Sequence, residues 1–279
     1  MRQRGADKAG IALAATLHDP TGALAAEIRR RLPALRRLYG DIAVATSPPT
    51  AASVVTLLAA NGVHAGTPAT NTRGPLYRLA LRRALATGAV RVHYLDFDRA
   101  LHWVARAPRE LAALSSLARR HRALLVGRTL EAHHTHHHPL WVTETEVNAR
   151  FATRLGLRGR VDFLVPSFVL TRKVATRLLV RSCARDAAIY GELAALLCGV
   201  EIELGYIECC GLDWETPDRH RRAVRRVGLA AWRRRMDTPA EWARRTAMAA
   251  EFVRGFERAF GRWPVETVQL ARVPRDRLA

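Results

Sequence analysis

Lysine is almost absent from this chain of 279 residues: among its 45 basic residues only Lys8 and Lys173 are lysines, and the others are arginines. In an alanine-rich sequence this imbalance is typical of GC-rich coding rather than of selection for a basic surface. Long apolar runs are absent as well. No stretch approaches the roughly 18 uninterrupted apolar residues of a transmembrane helix, so no membrane span is predicted. A hydrophobic content of 49% excludes a mainly disordered protein.

Cysteine is scarce, and its spacing shows no pair of the C-x-x-C type that holds zinc. We expect buried thiols in a reducing compartment. The apolar run Ile11–Thr16 follows two arginines, as in a signal peptide, but it is short and is better explained as a first β-strand. The sequence therefore predicts a cytoplasmic protein. The four cysteines are Cys183, Cys198, Cys209 and Cys210.

Acidic residues are outnumbered, since 25 aspartates and glutamates face 45 basic residues and leave a formal net charge of +20. Such a charge favours anionic partners, of which nucleic acid is one and a nucleotide diphosphate another. The arginines are spread along the chain, and no recognised motif interleaves them with aromatic residues. Nucleic acid is thus an unlikely partner, and a non-catalytic nucleic-acid-binding protein is kept as the alternative from a different class.

Short apolar runs alternate with helical patterns, which is typical of a mainly parallel sheet with crossover helices. We therefore predict an α/β fold with a mainly parallel central sheet flanked by helices. We divide the chain into a nucleotide-binding half (1–127), an acceptor-side half of the same domain (128–215) and a helical C-terminal extension (216–279). The predicted strands are Ile11–Thr16, Ile42–Thr46, Val63–Ala65, Val90–Leu95, Ala123–Val126, Val161–Val165 and Glu201–Ile207.

The sharpest local signal is Asp96-Phe97-Asp98, which completes an apolar strand. In extended backbone, residues i and i+2 face the same way, so both carboxylates can reach one cation. Hard oxygen ligands suit Mg²⁺ or Mn²⁺, which also bind a substrate diphosphate. Ligands of open α/β sheets bind outside the carboxyl ends of the strands, and this position favours a metal site over the alternative of a solvated turn.

These features together resemble the nucleotide-binding half of a GT-A glycosyltransferase. The segment His93–Asp98 resembles the metal-binding D-x-D strand of that family, and Ile11–His18 resembles the first strand with its nucleotide-contacting end. The segment Asn71–Gly74, followed by Arg78 and Arg82, resembles the part that such enzymes place beside the donor.

The resemblance implies a GT-A-like fold and a metal-dependent glycosyltransferase. This enzyme would move a sugar from a nucleotide-diphosphate sugar to an unknown acceptor, with Mg²⁺ or Mn²⁺ on Asp96 and Asp98. Fixed guanidiniums would stabilise the charge of the departing diphosphate, although each arginine is also explained by a solvated helix face. A nucleotidyltransferase, which would release pyrophosphate, is the second enzyme class. The residues expected to bind the nucleotide sugar are Thr16, His18, Ser47, Arg73, Arg78 and Arg82.

A second stretch, Gly211–Thr216, resembles a G-L-[ED]-[FW]-E-T segment of uncharacterised bacterial proteins of the same kind. Asp213 and Glu215 within it are the predicted catalytic residues, because a carboxylate there could orient the acceptor hydroxyl or act as its base. The alternative role is to stabilise the start of the following helix, and we favour that role for Asp218.

Five histidines crowd into six residues after the strand Ala123–Val126. A metal site needs ligands in a fixed geometry, usually from separate elements. We therefore predict a polar, mobile or lid loop that folding does not require, rather than a metal site. The histidines are His133, His134, His136, His137 and His138.

Overall fold

The computed structural model describes residues 10–199, 203–263, 265 and 268–278. The strands in these residues are β1 (Ile11–Leu17), β2 (Asp41–Thr46), β3 (His64–Gly66), β4 (Arg91–Tyr94), β5 (Ala123–Arg128), β6 (Phe168–Thr171), β7 (Leu204–Cys209) and β8 (Leu270–Arg272). They form one sheet in the order β3-β2-β1-β4-β6-β5-β7-β8. Only β6 runs antiparallel to its neighbours among these described strands. The predicted α/β class with a mainly parallel sheet is confirmed.

Helices cover both faces of the sheet and occupy most of the connections between its strands. They are α1 (Ala25–Leu38), α2 (Ala52–Ala60), α3 (Arg73–Ala86), α4 (Phe97–Arg106), α5 (Pro108–Leu117), α6 (Leu130–His134), α7 (His138–Arg154), α8 (Arg172–Arg181), α9 (Ala188–Cys198), α10 (Arg221–Val227), α11 (Leu229–Arg234) and α12 (Pro239–Arg262).

Small side chains on one face of the sheet let helix α3 lie close to it. Ala12 and Ala14 of β1, with Ala43 and Ala45 of β2, are fully buried in the same core cluster as the apolar side of α3. The alternate residues of β1, such as Leu13, belong to the core on the opposite face, with α1 and α4. Both faces of β1 are therefore buried, which explains why its sequence is continuously apolar rather than alternating.

The direction of the connections positions a crevice beside β1. From β1 the chain proceeds to β2 and β3 on one side, and then returns to β4 on the other side of β1. A crevice forms outside the carboxyl ends of the strands at such a reversal, and it is the usual ligand site of open α/β sheets. The residues that follow β1, β2 and β4 therefore meet at one edge of the sheet.

The predicted strand Val161–Val165 is absent: none of these described residues is in a strand, and the next strand is β6. The segment is buried, which accounts for its apolar sequence. Side chains satisfy two of its backbone donors, since the N–H of Asp162 donates to the Tyr206 hydroxyl and that of Phe163 to the Asn148 amide oxygen. An apolar run thus indicated burial correctly but not strand pairing.

The C-terminal extension is not purely helical, because β8 adds to the sheet edge parallel to β7. The prediction of a helical tail is wrong for this segment, since three residues are too few to show a period. The first residues of the predicted strand Glu201–Ile207 lie outside the described residues, and the observed strand β7 extends further, to Cys209. Helix α12 buries Phe252, Phe256 and Phe260 along one side.

Two glycines allow α12 to cross α9 in backbone contact. A Cβ atom on Gly255 would lie 1.9 Å from the carbonyl oxygen of Ala188, and one on Gly191 would lie 1.8 Å from that of Phe252. We expect Gly255→Ala to lower the free energy of unfolding by about 3 kcal/mol, because neither backbone can yield without separating the helices. Urea unfolding measures the change.

Gly261→Ala is the matched control on the same helix. Nothing lies within 4 Å of its added Cβ, so alanine there is expected to be neutral or to stabilise by up to about 1 kcal/mol. Equal stability of the Gly255 and Gly261 variants would contradict the tight crossing.

Two expectations drawn from the composition concern membrane-spanning helices and the burial of the cysteines. Within the described residues, no helix is both long and apolar enough to cross a membrane. All four cysteines are free, but the expectation that they are buried is wrong for Cys183 and Cys210, which are exposed in the loops after α8 and β7. Cys198 and Cys209 are buried in the core.

Candidate active site

A cavity of about 510 Å³ opens at the predicted edge of the sheet. Its walls come from the ends of β1, β2 and β4, the start of α3, the loop before α9, one turn of α12 and the loop after β7. The described lining residues are Thr16, His18, Ser47, Thr70, Asn71, Thr72, Arg73, Leu76, Tyr77, Asp96, Asp98, Asp186, Ala187, Tyr190, Arg219 and Glu251.

Asp96 and Asp98 both face this cavity, but not because they share a strand. Strand β4 ends at Tyr94, Asp96 occupies the N-cap position of α4, and Asp98 lies in its first turn. The backbone of Asp96 is extended as predicted, but the prediction is wrong for Phe97 and Asp98, which are helical. The two carboxylates converge because the strand-to-helix turn brings the end of β4 and the first turn of α4 to one rim.

The two carboxylates already have partners. Thr16 Oγ1 donates to Asp96 Oδ1 over 2.6 Å, and Arg219 Nη2 donates to Asp98 Oδ2 over 2.6 Å. Burial and the nearby Asp98 charge raise the pKa of Asp96 to about 6, although Arg99 and the Thr16 hydroxyl act in the opposite direction. The ionised form of Asp96 is therefore less favoured than that of an ordinary aspartate, and a further cation at this rim would stabilise it.

The end of the cavity near β1 and β2 offers neutral hydrogen-bonding groups. His18 Nδ1 lies 2.7 Å from Ser47 Oγ, which in turn lies 3.0 Å from Thr50 Oγ1. Burial lowers the pKa of His18, and the Arg219 charge lowers it further, so this imidazole is neutral at physiological pH. Thr16, His18 and Ser47, which were predicted to bind the nucleotide sugar, thus line one cavity.

The three predicted arginines of α3 separate in the structure. Arg73 lines the cavity, as do Leu76 and Tyr77 on the same side of the helix. Arg78 instead donates to the carbonyl oxygen of Ala184 over 2.7 Å, and Arg82 is exposed; neither is among the described lining residues. Helical spacing explains the outcome, because residues four apart share a face while residues five apart do not.

A smaller chamber of about 150 Å³ adjoins the cavity, with which it shares Arg73, Asp96 and Tyr190. Arg99, Arg244 and Arg245 add positive charge to its walls, and Glu144 and Glu215 add negative charge. The described walls of the chamber, which include Asp96, thus carry four guanidiniums and three carboxylates.

Three buried polar atoms of this chamber have no hydrogen-bond partner among the described residues: Arg99 Nη1, His136 Nε2 and Glu215 Oε2. Glu215 Oε2 lies 3.3 Å from Arg99 Nη1 and 3.9 Å from His136 Nε2. His136 Nδ1 lies 3.2 Å from the Ala132 carbonyl, which can only accept, so Nδ1 carries the hydrogen. Burial lowers the pKa of His136 well below its usual value, and Nε2 is then a free acceptor.

The histidine-rich segment is not a loop, and that prediction is wrong. Helices α6 and α7 contain much of it, and His133, His136 and His137 are buried. Burial lowers the pKa of all three imidazoles, assisted by Arg128 for His133 and His136 and by Arg245 for His137. A neutral imidazole can occupy a buried position beside an arginine without adding a second positive charge. Among the described residues, no group of three or more metal-ligating side chains forms.

The two predicted catalytic residues also separate. Glu215 is buried in the chamber, whereas Asp213 forms part of a network outside both spaces. His102 bridges this network, since its Nε2 lies 2.7 Å from Asp213 Oδ1 and its Nδ1 lies 2.9 Å from Asp218 Oδ2. The network fixes the loop after β7 onto α4. Asp218 therefore ties the loop to another helix, instead of only capping the next one.

The His102 bridge is expected to make stability depend on pH. Burial lowers the pKa of His102, but the hydrogen bonds to Asp213 and Asp218 outweigh it and raise this pKa from 6.5 to about 9. A raised folded-state pKa stabilises fully below pH 6.5, and the effect is lost as the pH rises through 9. His102→Gln should therefore cost on the order of 2 kcal/mol at pH 6 and much less at pH 9.5, measured by urea unfolding.

His64→Gln provides the control, because His64 is exposed beside Asp41 at the other edge of the sheet. The free energy of unfolding of this variant should equal that of the wild type at both pH values. A constant cost of His102→Gln across this range would contradict the bridge.

Sequence reasoning missed several residues of the site, chiefly Arg219, Arg99, Tyr190 and His136. Arg219 follows the second predicted stretch closely, so its position gave a signal, but the abundance of arginine concealed it. Arg99 is one residue beyond Asp98 and shares its face of α4 with Asp96. Nothing in the local pattern marks Tyr190, which reaches the site through the packing of α9. His136 belongs to the histidine cluster noted in the sequence, but the pattern did not show that the turn between α6 and α7 brings it to the site.

No protein-family model and no curated protein matches this sequence. Its fold is similar to that of Mycobacterium tuberculosis glucosyl-3-phosphoglycerate synthase, with a TM-score of 0.55 and 14% identity over 94% of this chain and 84% of that one. The same enzyme in complex with Mn²⁺, UDP-glucose and phosphoglyceric acid gives a TM-score of 0.50, with 16% identity over 92% and 82%. Its complex with Mn²⁺, UDP and glucosyl-3-phosphoglycerate gives 0.52, with 15% identity over 94% and 83%. The predicted GT-A fold is confirmed by this similarity across most of the chain.

Proposed function

We propose that the protein transfers a sugar from a nucleotide-diphosphate sugar to an anionic acceptor. The observation that carries this proposal is the convergence of Asp96, Asp98 and Arg73 on one cavity at the reversal of strand order. The similarity of the fold to an enzyme crystallised with UDP-glucose supports UDP-glucose as the first donor to test. In this proposal the nucleoside lies near His18 and Ser47, and the sugar lies toward Tyr190 and the chamber.

A divalent cation fits the donor set of this rim. Mg²⁺ and Mn²⁺ commonly take one or two carboxylates and complete their shell with substrate phosphates and water, so Asp96 and Asp98 suffice as protein ligands. Bound there, the ion would act as a Lewis acid for the leaving diphosphate. Arg73, an exposed residue of the same wall, adds a positive charge for that group.

The chamber supports an acceptor that carries negative charge. Arg99, Arg244 and Arg245 line it, and guanidiniums bind carboxylates and phosphates through paired hydrogen bonds. The similar enzyme was crystallised with phosphoglyceric acid, which makes 3-phosphoglycerate the first acceptor to test. In our proposal Glu215 accepts the hydrogen bond of the acceptor hydroxyl, and His136 Nε2 is a second acceptor beside it.

Binding of UDP with and without Mn²⁺ tests the donor site. Mn²⁺ should raise the melting temperature of the wild type in the presence of UDP, and Asp96→Asn should remove most of this increment because one carboxylate ligand is lost. Asp41→Asn is the matched control, since Asp41 begins β2 at the opposite edge of the sheet. An equal Mn²⁺-dependent shift in all three proteins would refute the metal site.

Product analysis tests the reaction class. With UDP-glucose and 3-phosphoglycerate, the wild type is expected to release UDP and form a glucosylated acid. Release of pyrophosphate from a nucleoside triphosphate, without any release of UDP from UDP-glucose, would instead indicate a nucleotidyltransferase.

A further inference from the structure

Arg219 links the loop after β7 to the rim of the cavity. Its Nη2 donates to Asp98 Oδ2 over 2.6 Å, and its Nη1 donates to the backbone carbonyl of His18. The two partners are far apart in sequence, since His18 directly follows β1 and Asp98 lies in the first turn of α4, which follows β4. Arg219 itself lines the cavity. The guanidinium therefore spans the crevice at the place where these two strands end.

The guanidinium retains donors for a ligand. A guanidinium carries five N–H donors, and in the described residues the Arg219 side chain uses two of its nitrogens, one for each bond. A guanidinium is always charged in proteins, so these donors carry a positive charge. Its side chain is 19% exposed, and that exposure faces the cavity it lines.

The loop that carries Arg219 has anchors other than the ion pair with Asp98. Asp218, directly before Arg219, already receives hydrogen bonds from His102, Arg31 and Arg221. These contacts attach the loop to α1 and α4. The Arg219–Asp98 pair holds the guanidinium at the wall of the cavity, which Arg73 also lines, and leaves its remaining donors open.

We infer that Arg219, positioned by Asp98, binds the diphosphate of the donor directly, so that the protein retains affinity for a diphosphate without a divalent cation. The inference rests on the proposed function, since it takes the donor's diphosphate as the ligand. It assigns Asp98 a second role, as the anchor of a guanidinium. It also adds to the site a residue that lies 121 positions from Asp98 in the chain.

The test measures binding of UDP, inorganic pyrophosphate and uridine by calorimetry in EDTA. Arg219→Gln should weaken the binding of UDP and pyrophosphate by about 10- to 100-fold, the loss expected for charge-assisted hydrogen bonds. Asp98→Asn should weaken both in the same direction, because the guanidinium loses its anchor while no cation is present. Uridine lacks phosphate, and its affinity should be the same in the wild type and in Arg219→Gln.

Arg221→Gln is the matched control: it removes an arginine of the same segment that pairs with Glu27 and Asp218 and is not among the described lining residues. Its affinity for UDP should match that of the wild type. Unchanged affinity of Arg219→Gln for UDP and pyrophosphate would overturn the inference, as would an equal loss for uridine. Wild-type binding of UDP only with Mn²⁺ would also overturn it and leave the proposed function intact. Arg219-dependent binding of pyrophosphate without any binding of UDP would support the inference and refute the proposed donor.

Discussion

Arg128→Met is expected to lower the free energy of unfolding by about 3–5 kcal/mol, because it leaves two buried carboxylates without their cation. Arg128 is fully buried at the end of β5. Its Nε donates to Asp162 Oδ2 over 2.7 Å, and its Nη2 donates to Glu144 Oε2 over 2.6 Å. Burial alone raises the pKa of Glu144, but the Arg128 charge outweighs it and lowers this pKa to about 2.

The buried cluster of Arg128, Glu144, Asn148 and Asp162 contains further hydrogen bonds. Asp162 Oδ1 accepts from Asn148 Nδ2 over 3.0 Å, and Asp162 Oδ2 accepts from the backbone N–H of Arg128 over 3.0 Å. The cluster thus joins β5, α7 and the segment after α7. Without the guanidinium, Asp162 would be desolvated with only these neutral donors left, and the nearest remaining guanidinium to Glu144 would be that of Arg245, 3.9 Å away.

Arg150→Met is the matched control for urea unfolding. Arg150 lies on α7 as an exposed residue, 3.4 Å from the exposed Glu257, and such surface pairs contribute under about 1 kcal/mol. A cost of Arg128→Met as small as that of Arg150→Met would show that the buried charges are solvated in the folded protein.

Glu215→Gln is expected to lower turnover by about 10²- to 10⁴-fold with little change in the affinity for UDP, if Glu215 acts as the base for the acceptor hydroxyl. The substitution keeps the shape of the side chain but removes its charge. Glu215 Oε2 is buried in the chamber, without a hydrogen bond among the described residues, close to Arg99 and His136. A buried acceptor left open in this way is available to a substrate hydroxyl.

Asp213→Asn provides the matched control from the same loop. Asp213 is bound to His102 and faces Arg106, away from the described lining of both spaces. It is therefore expected to change stability rather than turnover. Release of UDP from UDP-glucose with 3-phosphoglycerate measures both variants. If the two variants lose turnover equally, the loop acts as a unit and the separate role of Glu215 is refuted.

Local sequence patterns sufficed to predict the strands whose ends border the proposed donor cavity. The apolar runs of β1, β2 and β4 and the turn residues after them appear in the sequence because each strand is buried on both faces over a few consecutive residues. The positions of Thr16, Ser47 and Asp96 at strand ends then followed from the rule that parallel strands end at one edge. The similarity of the fold to that of a GT-A enzyme, over 94% of the chain, agrees with this interpretation.

Local patterns did not distinguish a segment that is only buried from one that also pairs with a strand of the sheet. Val161–Val165 is apolar because it is buried, but whether its backbone meets a strand or the side chains of Tyr206 and Asn148 depends on distant residues. The histidines of residues 133–138 were predicted to form a polar, mobile or lid loop. Three of them are buried because Arg128, Glu144 and Arg245 surround the space that they fill.

The sequence by itself thus determined the strands around β1, the crevice at their carboxyl ends and the placement of Asp96 and Asp98 there. Only the tertiary structure decided which of many arginines reach that crevice, that Glu215 enters the chamber while Asp213 binds His102, and that Arg219 joins Asp98. The physical reason is the separation in sequence over which each kind of interaction acts. Strand and helix periods act over neighbouring residues, whereas ion pairs and buried side chains depend on elements that only the packed sheet brings together.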